Sequence, residues 1–356
     1  MALRTPLILN QTTARIEELA AADTIHGYMI EGYLGRNRVI NGDFRFWQRG
    51  TGFSLAGYGA DRFLNNISGI TCSMTRLALG VGEAAGFKYA CRMAFSGGSD
   101  PAQYATLQHR LEDLGYYSGK TLTFSGYMRA NTAGLKVAFE VALGAGGGTI
   151  PGAVPVSGIG VQTFTLGTTW QRFTATFTVP NLAGASLTDN SSLNFNLWLS
   201  AGSNHNSRNN NLGFQSGIVD FVGLQLEEGS SASAFEYRPD ALELALCQRY
   251  GLMLDYGKGN AFALVMVISS NTILGFLQYP VQMRTTPSAT RLKDLPTYTG
   301  AGAPAGTNAT SMNMIPTGTQ QLAVTAVLPV TLTTNTIGYI GSTSTNGFQI
   351  FLDAEI

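Results

Sequence analysis

The chain has 356 residues, of which 44% are hydrophobic and only 12% are Asp, Glu, Lys or Arg. Its 22 basic and 22 acidic residues give a formal net charge of +0, and without a dense basic run the sequence argues against nucleic-acid binding through phosphate contacts. Ordinary soluble domains contain about 25% charged residues, so the shortage predicts that part of the surface is buried between subunits.

Residues 1–36 differ in character from the rest of the chain. Thr12 or Thr13 can cap a short helix that carries Ile16 and Leu19 on one side. A lone helix of this length is marginal in water, whereas three copies around an axis would bury the apolar side chains. We therefore predict a short helical or extended segment that serves assembly and anchoring.

The clearest strand in the chain is the segment Trp170–Pro180, WQRFTATFTVP. Phe173, Ala175 and Phe177 alternate with threonines, which predicts a strand with one face on a core and one face in solvent. Pro180 ends it, because proline cannot donate to a continuing ladder. Similar alternation occurs in the segments 120–129, 135–141, 193–199 and 218–226. Strands separated by Gly- and Asn-rich turns predict a β-sandwich with jelly-roll-like topology over residues 37–240.

A second, smaller β-domain is predicted over residues 241–356. It opens with a short helix over residues 241–250 (ALELALCQRY). The Asn346-Gly347 pair is a hairpin-turn signal. Four segments read as strands: 261–268, 272–277, 322–332 and 347–352.

Cysteine usage and hydropathy add two expectations. Cys72, Cys91 and Cys247 lie among apolar neighbours and form no CxxC motif, so we predict three buried free thiols. The longest apolar segment, 261–268, is too short to span a bilayer, and no charged-then-apolar leader opens the chain. We therefore expect neither membrane insertion nor a signal peptide.

Six motifs together resemble those of bacteriophage and prophage tail-fibre proteins. In that family a jelly roll of the carbohydrate-binding-module type precedes a C-terminal β-domain. The resemblance covers Asn37–Tyr250, is weaker over residues 251–356 (PVQMRTTP), and includes ELAAADTIHG within residues 1–36. The motifs are NRVINGDFRFWQRG, YGADRF, KTLTFSGYMRA, TWQRFTATFTVP, VGLQLEEGSSASAFEYRP and LALCQRY.

The resemblance implies a homotrimeric protein of the virion tail that assembles in the host cytoplasm. Residues 1–36 would attach it to other tail or baseplate proteins, and the β-domains would contact a host surface polysaccharide. Two alternatives stay open. One is a purely structural baseplate or capsid-fibre component, and the other is a glycan depolymerase with a site between protomers.

Jelly rolls of the carbohydrate-binding type often hold a structural calcium between an early Asn-Gly-x-Phe-Glu segment and a late Asp. Here the early segment is Asn41-Gly42-Asp43-Phe44-Arg45, so a cation replaces the carboxylate. Asp43 and Asp220 are the remaining calcium candidates, but calcium requires several oxygen ligands without a competing cation. An ion pair of Arg45 with Asp43 or Asp220 is the alternative, and no cofactor is predicted.

No catalytic motif is visible in the sequence. The three histidines lie in unrelated contexts, outside any HExxH or GxSxG motif. Glu112-Asp113 and Glu227-Glu228 are adjacent carboxylates, and neighbours on a strand face opposite sides and do not form an acid/base pair. We therefore predict a protein that is not an enzyme.

Glycan binding is the sharper hypothesis, because sugars need flat rings for their C–H faces and short polar groups for their hydroxyls. Trp198 falls on the polar face of its strand, close in sequence to a tract rich in amides (SNHNSRNNN, 203–211). In a trimer such a Trp can instead pack against the neighbouring protomer. The candidate glycan-binding residues are Trp198, Asn194, Asn196, Asn204, His205, Arg208 and Tyr127.

Overall fold

The computed structural model shows an all-β protein that divides into two compact units, residues 1–36 and residues 37–356. The structure describes residues 7–10, 15–18, 35–257, 260–293, 295–304, 306–342 and 347–356.

In the first unit, strand β1 (Leu7–Asn10) pairs antiparallel with strand β2 (Arg15–Glu18), with Ile8 opposite Glu17. Of the two predicted forms, helical or extended, the structure has the extended one at Arg15–Glu18. A helix this short gains few internal hydrogen bonds, whereas two paired strands satisfy each other's backbone groups. The predicted capping and apolar residues Thr12, Thr13 and Leu19 lie outside the described residues.

The second unit begins with a sandwich of two six-stranded antiparallel sheets. Its strands are β3 (Gly52–Phe53), β4 (Gly57–Tyr58), β5 (Phe63–Ser68), β6 (Cys72–Ala78), β7 (Tyr89–Phe95), β8 (Tyr104–Glu112), β9 (Thr121–Ala130), β10 (Lys136–Gly144), β11 (Ile159–Thr165), β12 (Gln171–Thr178), β13 (Ser192–Ala201) and β14 (Gly217–Glu228). Short helical turns are Glu83–Gly86, Leu114–Tyr117, Ser203–His205 and α1 (Asn206–Asn209). The strand orders are β11-β10-β13-β8-β5-β4 and β12-β9-β14-β7-β6-β3.

The strand predicted from WQRFTATFTVP is confirmed as β12, an edge strand that pairs with β9. Ala175 and Phe177 are buried, while the threonines between them are exposed. Aromatic rings fill the space between the two sheets, with Phe139 4.7 Å from Phe124 and 5.7 Å from Phe177 between ring centroids. The core thus has the two-layer form that the alternation predicts.

The C-terminal part opens with helix α2 (Asp240–Gln248), which confirms the predicted helix. A second hydrophobic core lies between a three-stranded sheet, β15-β24-β18, and a seven-stranded sheet, β20-β19-β23-β16-β17-β22-β21. The strands are β15 (Gly251–Tyr256), β16 (Ala261–Val267), β17 (Thr272–Gln278), β18 (Ser288–Arg291), β19 (Thr297–Gly300), β20 (Thr307–Asn308), β21 (Ser311–Pro316), β22 (Gln321–Val327), β23 (Ile337–Gly341) and β24 (Phe348–Asp353).

The hairpin predicted at Asn346-Gly347 is wrong. The flanking strands β23 and β24 belong to different sheets and pair with other strands. Gly347 itself has a φ of +75°. Asn346 lies outside the described residues.

All three cysteines are buried and free, as predicted. No helix among the described residues is both long and apolar enough to cross a membrane.

Candidate functional site

Trp198 lies on the face of β13 that points away from the sandwich core, as the alternation predicts, but it is only 2% exposed. The expectation that its ring faces solvent is therefore wrong. Its indole Nε1 donates a hydrogen bond of 2.7 Å to Oε2 of Glu140 on the neighbouring strand β10.

The loop that follows β13 covers the Trp198 ring. The Arg208 guanidinium lies 5.0 Å from the ring centroid, and the His205 ring lies 5.3 Å from it. Tyr104 packs from the side at 5.8 Å. Trp198 thus packs against its own chain, which is neither the sugar platform nor the protomer contact considered from the sequence.

Glu140 holds this loop in place. Its side chain is fully buried and accepts hydrogen bonds from Arg208 Nε at 2.8 Å and Nη2 at 3.2 Å, and from the Gly158 amide at 2.9 Å. Asn196 Nδ2 donates a longer bond of 3.4 Å to the same carboxylate. A buried carboxylate is tolerated only with such partners, so loop and sheet are coupled through one charge.

Asn196 and Asn194 point from the same face of β13. Asn196 is buried and accepts a bond of 2.7 Å from Gln108 Nε2. Asn194 is half-buried, and its Oδ1 has no hydrogen-bond partner. Asn196 therefore lies in the packed layer between loop and sheet, whereas Asn194 is only partly covered.

Tyr127 lies apart from the other predicted site residues. It belongs to β9 in the second sheet of the sandwich and packs against Phe87, with ring centroids 6.1 Å apart. The structure therefore does not bring Tyr127 together with the Trp198 side of the molecule.

A cavity of about 320 Å³ lies beside the covered Trp198, between the loop 99–101 and the loop 201–214. We call it the loop groove. The Phe214 ring is 38% exposed at its edge. The lining of the groove includes the side chains of Ser99, Pro101, Ser203, Asn206, Asn211 and Phe214.

Local backbone chemistry explains why the Asn-rich tract forms this wall. Asn210 and Asn211 end the helical turn α1 with φ values of +53° and +55°, a conformation that Asn adopts more readily than most residues. The buried Asn209 side chain accepts a bond of 3.1 Å from the Leu212 amide. The tract therefore combines turn formation with exposed amides.

Two glycines let the walls approach each other closely. A Cβ on Gly202 would lie 2.4 Å from the Pro101 carbonyl oxygen, and a Cβ on Gly98 would lie 2.5 Å from the Phe214 ring. The Asn204 amide also donates to the Pro101 carbonyl at 3.1 Å. The groove is thus formed by backbone contacts in the folded chain.

Of the predicted residues, Asn204, His205 and Arg208 shape the groove rather than line it. His205 Nε2 lies 3.0 Å from the Ala102 carbonyl oxygen, which ties one wall to the other. Sequence reasoning missed Phe214, whose signal is an aromatic residue directly after the polar tract and Gly213. The lining holds an exposed ring, amides and hydroxyls, and none of its residues is charged, which suits an uncharged polyhydroxyl ligand.

A second cavity of about 640 Å³ is strongly charged, and its lining includes Glu112, Asp189, Arg249 and Arg284. Arg249 Nη2 donates to Glu112 at 3.1 Å. Arg284 donates to the Ala354 carbonyl at 2.8 Å. These charged groups pair mainly with the protein itself, so this cavity is the weaker candidate for a neutral ligand.

The calcium candidates Asp43 and Asp220 are both paired with arginines. Asp220 accepts bonds from Arg92 Nε at 2.8 Å and Arg129 Nε at 2.9 Å, and Arg45 forms the predicted ion pair with Asp43. Burial raises the pKa of Asp43 to about 6. Among the described residues no cluster of three or more His, Cys, Asp or Glu side chains could hold a metal ion. Both candidate carboxylates therefore contact guanidinium groups in this structure.

The residues of the recognised motifs form a buried joint between the sandwich and the C-terminal part. Arg62 is 1% exposed, pairs with Glu355 after β24, and lies 3.4 Å from the Tyr250 ring centroid. Arg238 pairs with Glu243 of α2 at 2.9 Å. These three motif residues therefore hold the two parts together, and none of them lines the loop groove.

No protein-family model matches the chain, and no curated protein matches it. Among solved structures, a putative sugar binding protein from Bacteroides thetaiotaomicron matches 54% of this chain and 100% of its own, with 12% identity and a TM-score of 0.32. A family 11 carbohydrate-binding module from Clostridium thermocellum, in complex with a β-1,3-1,4-mixed-linked tetrasaccharide, matches 52% and 98%, with 11% identity and a TM-score of 0.30. The enzymatically active domain of tailspike protein 4 from bacteriophage CBA120 matches 56% and 22%, with 12% identity and a TM-score of 0.29. All three likenesses are remote.

Proposed function

We propose that the protein is a non-enzymatic, homotrimeric tail fibre of a bacteriophage that binds a host-surface polysaccharide in the loop groove. Residues 1–36 would attach it to other tail or baseplate proteins in the virion. The observation that carries the binding proposal is the groove itself, an uncharged depression with an exposed aromatic ring at its edge.

Phe214 supplies the apolar surface. Its ring packs closely against Gly98, where a Cβ would be 2.5 Å from Cε1, while 38% of the residue stays exposed. A supported ring loses little side-chain entropy when a pyranose stacks on it. Phe214 is therefore the contact whose loss should weaken binding most.

The polar groups lie within the same groove. Asn211 and Ser203 are exposed, and Asn206 is half-buried. Amides and hydroxyls both donate and accept, which matches the mixed donors and acceptors of sugar hydroxyls. A ligand of neutral hexoses fits this lining better than a polyanion, because no cationic side chain lines the groove.

A single shallow groove binds weakly, and a trimer compensates for this. Three linked sites raise the apparent affinity without new contacts, because the second and third binding events become intramolecular. A fibre of this kind needs no covalent chemistry to hold a cell.

The test is Phe214→Ala, measured as binding of purified protein to a glycan array and to host-surface polysaccharide. Loss of one stacking contact should weaken binding roughly tenfold per site, which corresponds to about 1.4 kcal/mol. Tyr237→Ala is the matched control, because Tyr237 is 55% exposed on the same β-sandwich unit but outside the groove.

Equal binding by both variants would contradict the groove as the glycan site. Failure of the wild-type protein to bind any glycan or host cell would instead favour the purely structural virion component. Shortening of the polysaccharide chains during incubation would favour a depolymerase.

A further inference from the structure

The seven-stranded sheet of the C-terminal part has one face on the hydrophobic core and one face turned outward. Large apolar or aromatic side chains stand on the outward face with much of their surface in solvent, and five of them lie on β16, β17 and β23. They are Leu264 (75% exposed), Ile337 (73%), Phe276 (51%), Met266 (46%) and Tyr339 (43%).

Strand pairing makes these side chains neighbours. Leu264 lies directly opposite Tyr339, and Met266 lies opposite Ile337 on one side and Leu274 on the other. Phe276 follows on the same strand as Leu274, two residues further along. The five residues therefore form one continuous patch across β23, β16 and β17, which we call the outer apolar face.

No charge interrupts this face. None of the described strand residues in this sheet, from β16 to β23, is Asp, Glu, Lys or Arg. Solvent-facing sheet surfaces normally carry such residues, which also prevent unwanted association. The outward face of a sheet without charged side chains is therefore suited to packing against another protein surface.

The size of the patch is close to that of an interface. Large side chains present on the order of 150–250 Å² each when fully exposed, so the exposed fractions of the five correspond to roughly 430–720 Å². The largest apolar patch of a typical monomer is about 300–600 Å², and a standard interface buries about 800 Å² per partner. The Thr and Gln side chains around the patch would supply the polar rim.

We infer that the outer apolar face is the surface through which copies of this chain pack together. Two identical uncharged faces meet without burying an unpaired ion, and three of them turned toward a common axis give a closed assembly. A membrane surface fits less well, because the sheet offers no Lys or Arg to lipid headgroups. Only the number of copies, three, rests on the proposed function.

The double variant Leu264→Glu, Ile337→Glu tests this inference. Sedimentation should be measured at a protein concentration of about 5–20 µM, well above the dissociation constant expected for a stable interface. It should give three chains for the wild type and one for the variant. Both substituted side chains are exposed in the single chain, so circular dichroism should remain that of the folded protein. Leu55→Glu with Val81→Glu is the matched control, because these side chains are 78% and 111% exposed elsewhere.

A variant that stays trimeric would overturn the assigned surface while leaving the trimer intact. A monomeric wild-type protein would overturn both the assigned surface and the trimer. Glycan binding by that monomer would still be measurable. If the double variant does not fold, Ile337→Cys treated with a bismaleimide cross-linker decides the matter. Cross-linked chains are expected there and not with Leu55→Cys, and an oligomer without cross-links at position 337 would overturn the inference.

Discussion

Asp61 is a carboxyl held in the interior by two hydrogen bonds, from the Gln48 amide at 3.0 Å and from Gln48 Nε2 at 2.8 Å. Burial raises its pKa to about 6. The unfolded chain ionises near 3.8, so between these values the folded protein holds a proton that the unfolded chain has lost. The stability from this group is complete below about pH 4 and is lost as the pH rises to about 6.

We expect Asp61 to remove about 1 kcal/mol from the free energy of unfolding between pH 5 and pH 7. The variant Asp61→Asn lacks this titration and should show a correspondingly smaller loss over the same range. Urea unfolding of both proteins at the two pH values measures the difference.

His109 acts in the opposite direction and is common to both proteins, so it cancels in this comparison. It is fully buried beside Arg62, and burial holds its pKa well below its usual range. Identical pH profiles for the wild type and Asp61→Asn would contradict the assignment.

Trp198 also shows which structural features the sequence pattern predicts and which it does not. Alternation placed Trp198 on the correct face of its strand, since the period of two follows from backbone geometry. It did not reveal that the loop 203–212 folds back over that face, because this depends on Arg208 reaching Glu140, which lies 68 positions earlier. Contacts at such a separation leave no local signal.

The loop over residues 203–212 is the element that forms one wall of the groove at the end of β13. Its attachment rests largely on the bidentate Arg208–Glu140 pair and on the cation–π contact with Trp198. Charge-assisted bonds of this kind are stronger than neutral ones. The loop should therefore open when the guanidinium is removed.

For Arg208→Ala we expect faster amide hydrogen exchange over residues 203–212 and weaker glycan binding, with β13 itself still protected. The loss of hydrogen bonds to a charged group corresponds to about 1.5–3 kcal/mol of local stability. Arg76→Ala is the matched control, because Arg76 makes its own cation–π contact with Tyr89 at 4.7 Å but lies outside the loop. Unchanged exchange in the loop would show that other contacts hold it.

Elements with a strong local pattern were predicted well. The strand β12 and the helix α2 follow from alternation, a terminal proline and helical spacing. The helical alternative at Arg15–Glu18 and the hairpin at Gly347 are wrong, since a four-residue stretch or a single turn dipeptide is compatible with several partners. Pairing across the chain decides such cases.

Across the whole molecule, the joint between the sandwich and the C-terminal part depends on buried charge. Arg62 is 1% exposed and pairs with Glu355, which is also in reach of Arg49 at 3.3 Å. Removing one partner from a buried pair leaves an uncompensated charge, which is strongly destabilising.

We expect Glu355→Gln to lower the free energy of unfolding by about 3–5 kcal/mol, measured by urea unfolding. Asp353→Asn serves as the control, because the Asp353 side chain is 41% exposed and its bond to Arg49 is 3.4 Å long. An exposed pair contributes about 0–1 kcal/mol. Equal costs for the two variants would contradict the importance of the buried pair.

The amino-acid sequence by itself determined the all-β class, the face that each long strand presents and the burial of the three thiols, because periodicity and hydrophobicity act over a few neighbouring residues. Only the tertiary structure decided that Trp198 is covered, that Phe214 and the Asn tract form a groove, and that Arg62 finds Glu355. Those outcomes depend on which distant segments meet, and chain folding brings them together through contacts that no local pattern encodes.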